Sequence, residues 1–162
     1  MVIGTGDALP EAKLAKMGAD GPEVVDVNAK GAGKKLAIFA LPGAFTGTCS
    51  TAHVPSFIRT IDDFKAKGVD SVICVSVNDV FVMQAWGEQT GATAAGIEML
   101  ADGDGSFTKA MGRAFTAAPV GLIDRSKRYA MIVEDGKITT LQEEENPGVC
   151  EVSGGEALLA AL

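Results

Sequence analysis

From residue 36 onward, short apolar runs alternate with amphipathic stretches, and the two periodicities separate strands from helices. Leu36-Ala37-Ile38-Phe39-Ala40-Leu41 is unbroken apolar and halts at Pro42-Gly43, which predicts a buried strand entering a loop. His53, Phe57, Ile61 and Phe64 follow at helical spacing and share one face. Pro55 lies inside that pattern and cannot donate to the carbonyl of Thr51, so the helix must kink or restart there. Val69 to Val77 is apolar at both parities, as expected of a central strand. Asn78-Asp79 then predicts an N-cap ahead of a helix over Val80–Gln89. Ile97–Leu100 is a short strand candidate, Asp102–Gly105 a turn and Ser106–Met111 a short helix. Tyr129–Val133 and Lys137–Leu141 flank an Asp-Gly pair, the signature of a hairpin. Ser153 with Glu156 has the spacing of a capping box for a last helix ending at Leu162. The stretch Lys30–Lys35 looks like a connection. The succession implies an α/β domain with a mixed sheet, without choosing among α/β folds.

A chain of 162 residues suits one domain spanning residues 1–162 and can bury a full core without staples. The net charge of −7 argues against a general nucleic-acid or anionic-membrane binder, which would need a basic face. No run approaches the length of a membrane span. The first residues carry no basic region followed by a long apolar run, so a cytoplasmic location is the default, organellar if a leader has been removed. The three cysteines are scattered and the one histidine is His53, which leaves neither a disulfide framework nor a zinc-ligand pairing. No cofactor site is evident: Gly103 and Gly105 lack the strand–turn–helix setting of a phosphate loop. The run Glu143–Glu145 reads as a solvated surface.

The segment Pro42-Gly43-Ala44-Phe45-Thr46-Gly47-Thr48-Cys49-Ser50-Thr51-Ala52-His53 carries the candidate chemistry. Its loop delivers Cys49 to a helix start, where free N–H groups and the helix dipole stabilise a thiolate. An isolated cysteine is more often a small buried hydrophobe. The polar and small neighbours of Cys49 argue instead for a thiol close to solvent. Thr46, three residues earlier, can reach the sulfur or a substrate oxygen. His53 sits one turn on; a Cys–His nucleophile and base is the competing reading, though no third orienting residue is evident.

The string resembles the peroxiredoxin pattern Pro-x-x-x-Thr-x-x-Cys, and its longer form is similar to the peroxiredoxin 5, or type II, subfamily. The resemblance extends through Val75–Trp86, Ala101-Asp102-Gly103 and Arg125–Ala130. It implies a thioredoxin-like fold, a mixed central sheet flanked by helices, and a thiol peroxidase that reduces hydrogen peroxide and organic hydroperoxides through a sulfenic acid on Cys49. It implies further that Thr46 and Arg128 orient the peroxide, that Pro42 shields the thiolate, and that His53 is an active-site neighbour. Without the resemblance, Arg128 would pass for a surface charge. Gly47 departs from the proline usual after the motif threonine and predicts a looser loop.

A sulfenic acid must be resolved. Cys150, in a polar, loop-like segment expected to be mobile, and Cys74, in an apolar strand, are both candidates, with Cys150 preferred. Attack by an external thiol is the third route. The resemblance implies glutaredoxin, glutathione or thioredoxin as reductant. It also implies a homodimer through the surface near Phe45, Phe81 and Trp86, residues that would otherwise be read as core. A dithiol oxidoreductase would need a second cysteine at position 52, where Ala52 stands. A non-enzymatic redox sensor or adaptor using Cys49 remains the alternative from another class; it would not turn over repeatedly.

Overall fold

The computed structural model describes all residues, Met1–Leu162. A first hairpin, β1 (Lys13–Gly18) and β2 (Gly21–Asp26), leads into the short helix α1 (Val27–Gly31), whose N-terminal amides at Asn28 and Ala29 are capped by the Asp26 carboxylate. Then come β3 (Lys35–Leu41), a π-helical turn at Cys49–His53, α2 (Val54–Ala66), β4 (Ser71–Ser76), α3 (Val80–Thr90), α4 (Ala92–Ala95), β5 (Glu98–Ala101) and α5 (Ser106–Ala110). A small hairpin of β6 (Ala114–Ala117) and β7 (Leu122–Ser126) precedes β8 (Tyr129–Glu134), β9 (Lys137–Glu143) and α6 (Gly155–Ala160).

Seven strands form one mixed sheet in the order β2-β1-β5-β4-β3-β8-β9. β3, β4 and β5 run parallel at its centre, and the other neighbouring pairs are antiparallel. This is the mixed, helix-flanked sheet of the thioredoxin-like fold. Period-two alternation divides each central strand between two cores. Ala37, Phe39 and Leu41 of β3, Cys74 of β4 and Ala130 of β8 face α2, α3 and α6. Leu36, Ile38 and Ala40, Ile73, and Met131 face the N-terminal segment and α5. Phe57 of α2 stacks on Phe39, with ring centroids 4.0 Å apart and planes within 3°. Burying each such ring stabilises the fold by about 1.5–3 kcal/mol.

Pro55 lies in the first turn of α2, where its missing N–H is no loss. The preceding turn widens, so that the Val54 amide donates to the Cys49 carbonyl five residues back. The hairpin at Asp135-Gly136 has positive φ at both residues, 48° and 77°, as a two-residue turn of this hand requires. The capping box does not form. The Ser153 hydroxyl is drawn to Glu144, and the first α6 amide, Gly155 N, is capped by Ser56 Oγ of α2 at 2.8 Å. Gly155 also permits the close approach of α6, since a Cβ there would meet the Ser56 carbonyl. The β1–β2 and β6–β7 hairpins lay outside the elements read from the pattern. Their strands are largely solvent-facing and carry little apolar alternation.

Candidate active site

The parallel strands β3 and β4 end side by side, and the loop leaving β3 is pinned from two directions. Asn78, just past β4, accepts the Ala44 amide at 3.0 Å and the Ser76 hydroxyl at 2.5 Å through the same side-chain oxygen. Asp79, not Asn78, caps α3 by accepting the Val82 amide at 2.8 Å, which leaves Asn78 free for the loop. From the other side, Arg125 of β7 donates to the Pro42 carbonyl at 3.1 Å. Phe45 sits at φ 63°, a left-handed conformation that costs a non-glycine residue about 1 kcal/mol or more and persists because its neighbours are held. Thr46 Oγ1 donates to the Gly43 carbonyl at 2.7 Å, so its lone pairs remain free to accept a hydrogen bond.

The π turn then carries Cys49 and His53, both wholly buried. The expectation of a thiol close to solvent is therefore corrected. The turn folds the sulfur inward, and its small polar neighbours serve the loop instead. Thr51 Oγ1 donates to the Gly47 carbonyl, and Ser50 Oγ accepts the Trp86 indole N–H, at 2.9 Å each. The wide turn brings both inward-facing side chains to one partner, Arg128, which immediately precedes β8.

Arg128 is 1% exposed and joins none of the protein's six ion pairs. Its Nη2 donates to Cys49 Sγ at 3.1 Å, its Nη1 to His53 Nδ1 at 2.9 Å and its Nε to the Pro147 carbonyl at 2.9 Å. A guanidinium keeps its charge in any surroundings. The sulfur of Cys49 is thus the one contacting group able to supply a balancing negative charge. His53 is fixed as a neutral imidazole. Its Nε2 lies 2.9 Å from the Ser153 carbonyl, an acceptor only, so Nε2 bears the proton and Nδ1 offers its lone pair to Arg128. Burial, and then the charge of Arg128, lower the His53 pKa to about 3 against a weaker opposing effect of the Ser153 bond. With Nδ1 occupied by Arg128, His53 has no lone pair to offer Cys49 as a base.

Beside this buried group opens a cleft of about 380 Å³, lined in part by Pro42, Thr46, Gly47 and Arg128, with Phe115 and Leu122 as apolar wall. Pro42, Thr46, Cys49, Arg128 and His53 thus come together. Gly47 lies on the rim, where a Cβ would meet nothing. Cys74 is buried mid-strand between β3 and β5. Burial foremost, and then the proximity of Cys49, push its thiol well above the ordinary range, against the opposing pull of Arg128. Cys150 is half-buried in the segment after β9, and burial raises its thiol too. That segment is docked on the site by three bonds: Thr48 Oγ1 to the Gly148 carbonyl, Arg128 to Pro147 and His53 to Ser153.

Of the Glu143–Glu145 run, Glu145 is exposed and Glu143 partly so. Glu143 pairs with Arg113 at 2.5 Å, and Glu144 is buried. Trp86 is core, whereas Phe45 and Phe81 are 53% and 64% exposed, contrary to a core reading. The sequence pattern does not mark Asn78, Arg125, Glu144 or Ser153 as belonging to the site. Their partners lie 34 or more residues away, or depend on how a loop closes, and no local spacing announces that.

The Redoxin family model matches residues 4–159. The chain is 43% identical to Peroxiredoxin-2C of Oryza sativa subsp. japonica, over 99% of this chain and 98% of the relative. It is 44% identical to Peroxiredoxin-2E-2, chloroplastic, of the same plant, over 99% of this chain and 72% of the relative. Among solved structures it is similar to reduced Prx3 of Vibrio vulnificus in complex with hydrogen peroxide, at 50% identity and a TM-score of 0.92, with 99% of both chains covered. It is also similar to peroxiredoxin 5 of Alvinella pompejana, at 31% identity and a TM-score of 0.83, over 98% of this chain and 97% of that one. No helix is long and apolar enough to cross a membrane.

Proposed function

The chain belongs to the peroxiredoxins, the thiol-dependent peroxidases of the Redoxin family, and on that premise we propose that Cys49 is the sulfur that reduces the hydroperoxide. Thr46, Arg128 and Pro42 form its receiving site. The observation that carries this is the buried Arg128, which has no carboxylate partner and holds one nitrogen 3.1 Å from Cys49 Sγ. The thiolate attacks the terminal peroxide oxygen and the O–O bond breaks. The sulfur is oxidised to a sulfenic acid, and the leaving oxygen takes up a proton and departs as water or an alcohol. As charge moves from sulfur to oxygen, the Arg128 fork stabilises it without reorganising. Thr46, its own proton engaged by Gly43, accepts the peroxide O–H. Pro42 keeps water from the sulfur. His53, neutral and committed to Arg128, orients the guanidinium and takes no proton.

Cys150 is the preferred resolving thiol. It sits in a loop that can leave the site by giving up a few hydrogen bonds, whereas Cys74 could move only by breaking the ladders to both β3 and β5. Its attack on the sulfenic sulfur releases water and leaves a Cys49–Cys150 disulfide, which glutaredoxin with glutathione, or thioredoxin, reduces. Where the loop stays docked, the external thiol attacks Cys49 directly. Residues 1–162 act as one domain, and two copies associate through the face bearing Phe45 and Phe81.

Peroxide consumption under excess thioredoxin, and separately under glutaredoxin with glutathione, tests the reading. Cys49→Ser abolishes turnover with every reductant, and Arg128→Met lowers the peroxide-dependent rate about 10²–10³-fold. Cys150→Ser loses thioredoxin-supported turnover and keeps the direct thiol route, while Cys74→Ser retains both. Consumption limited to one equivalent of peroxide by the wild type would defeat the catalytic reading and leave Cys49 as a stoichiometric sensor.

A further inference from the structure

We propose that Glu144 and Ser153 are positioning residues for peroxide reduction, acting through His53 on Arg128. The inference rests on Cys49 being the reacting sulfur. Glu144 follows the last residue of β9, and its amide donates to the carbonyl of Arg128 itself at 3.0 Å. Its buried carboxylate meets no cation. One oxygen, Oε2, accepts three hydrogen bonds: from Glu151 N at 2.9 Å, Ser153 N at 2.7 Å and Ser153 Oγ at 2.5 Å. Burial works against the charge, but these donors outweigh it and hold the carboxyl below its ordinary range.

The result is a closed loop from residue 144 to residue 153, with its last carbonyl aimed at the site. That carbonyl, Ser153 O, accepts a hydrogen bond from His53 Nε2 at 2.9 Å. A neutral imidazole with its proton on Nε2 has its lone pair on Nδ1, and there it accepts Arg128 Nη1 at 2.9 Å. The same loop supplies the Pro147 carbonyl to Arg128 Nε at 2.9 Å. Two of the three guanidinium nitrogens are therefore held by the loop, one directly and one through His53. The third, Nη2, is aimed at Cys49 Sγ. A planar fork fixed at two nitrogens has little freedom at the third, and a displacement of about 1 Å at a reacting centre can cost up to about 100-fold in rate. Neither Glu144 nor Ser153 hydrogen-bonds Cys49; the one sulfur within reach of Ser153 is that of Cys150, which takes no part in the oxidation step.

The experiment follows the oxidation step alone. Reduced full-length protein is mixed rapidly with one equivalent of hydrogen peroxide and quenched with an alkylating reagent. Loss of the Cys49 thiol is then counted by mass spectrometry, with circular dichroism and Tm showing that each variant is folded. Glu144→Ala slows oxidation about 10-fold or more. Glu144→Gln, whose amide oxygen can accept the same three donors, restores most of the rate. Ser153→Ala, which loses one of the three, slows it about three-fold. Glu145→Ala, at the exposed neighbouring position, reacts as the wild type does. In a His53→Ala background, Glu144→Ala slows oxidation less than it does in the wild type, because the His53 route is already cut and only the Pro147 contact is left to loosen.

A folded Glu144→Ala protein that reacts at the wild-type rate would overturn the proposal. So would an equal slowing in the His53→Ala background, which would make Glu144 a loop staple and nothing more. Should Glu144→Ala not fold, the Ser153→Ala cycle with His53→Ala decides by the same criterion. If wild-type Cys49 is oxidised no faster than free cysteine, it is the assignment of Cys49 that fails, not the relay.

Discussion

His53 shows how a single buried side chain ties stability to pH. Folded, its pKa lies at about 3; unfolded, it returns to 6.5. Below pH 6.5 the unfolded chain takes up a proton that the folded protein refuses. Stability from this group is thus complete above 6.5 and is lost as pH falls toward 3. Between pH 7 and pH 5 the loss is about 2 kcal/mol. Urea midpoints measured at both pH values should show the wild type losing that much more than His53→Gln, which does not titrate; equal losses would mean that His53 is protonated in the folded state. At this scale the sequence was legible where chemistry is local. Pro42, Thr46 and Cys49 sit in one short string, and a helix start after a loop already implies a nucleophilic thiolate. Arg128 was not legible from its neighbours, since a charged residue before a strand looks the same whether it points out or in. Glu144 was misread for a similar reason: three consecutive glutamates look solvated until β9 ends and turns the middle one inward.

Among the elements, the π turn at Cys49–His53 is the one that the site depends on most. Pro55, in the first turn of α2, brings no amide to the Thr51 carbonyl, and the turn that precedes it is the wide one. Pro55→Ala restores that donor and lets the turn tighten. This rotates Cys49 away from Arg128 Nη2, and peroxide oxidation of Cys49 should slow about 10-fold while Tm holds or rises. An unchanged rate would show that packing, not the proline, sets the wide turn. The sequence predicted an interruption at Pro55 and could not predict its form, because a kink, a restart and a π turn all relieve the same missing bond. Likewise, Asp-Gly fixed the β8–β9 hairpin on local grounds, whereas Ser153 and Glu156 had the spacing of a cap that Ser56, 97 residues before Ser153, supplies instead. The β1–β2 hairpin lies at a sheet edge and its burial is one-sided at best, so its apolar pattern is faint.

At the scale of the molecule, the alternation of residues along β3, β4 and β8 divides the interior into two cores, and the α/β class follows from the runs that encode it. What the runs do not encode is the exposed pair Phe45 and Phe81. Apolar residues scattered singly on a surface need no explanation, but these two flank the loop and helix that build the site. Sedimentation of the reduced protein should give a dimer that Phe45→Glu with Phe81→Glu converts to monomer; a wild-type monomer at micromolar concentration would refute the association, and a double variant that stays dimeric would place it on another face. One contact already described has a different consequence. The protein's single tryptophan, Trp86, hydrogen-bonds through its indole N–H to Ser50, the residue next to Cys49. Any change at the sulfur that shifts this turn must alter the surroundings of the indole. The protein therefore carries its own optical reporter, and its intrinsic fluorescence can register each oxidation and each recovery without an added dye.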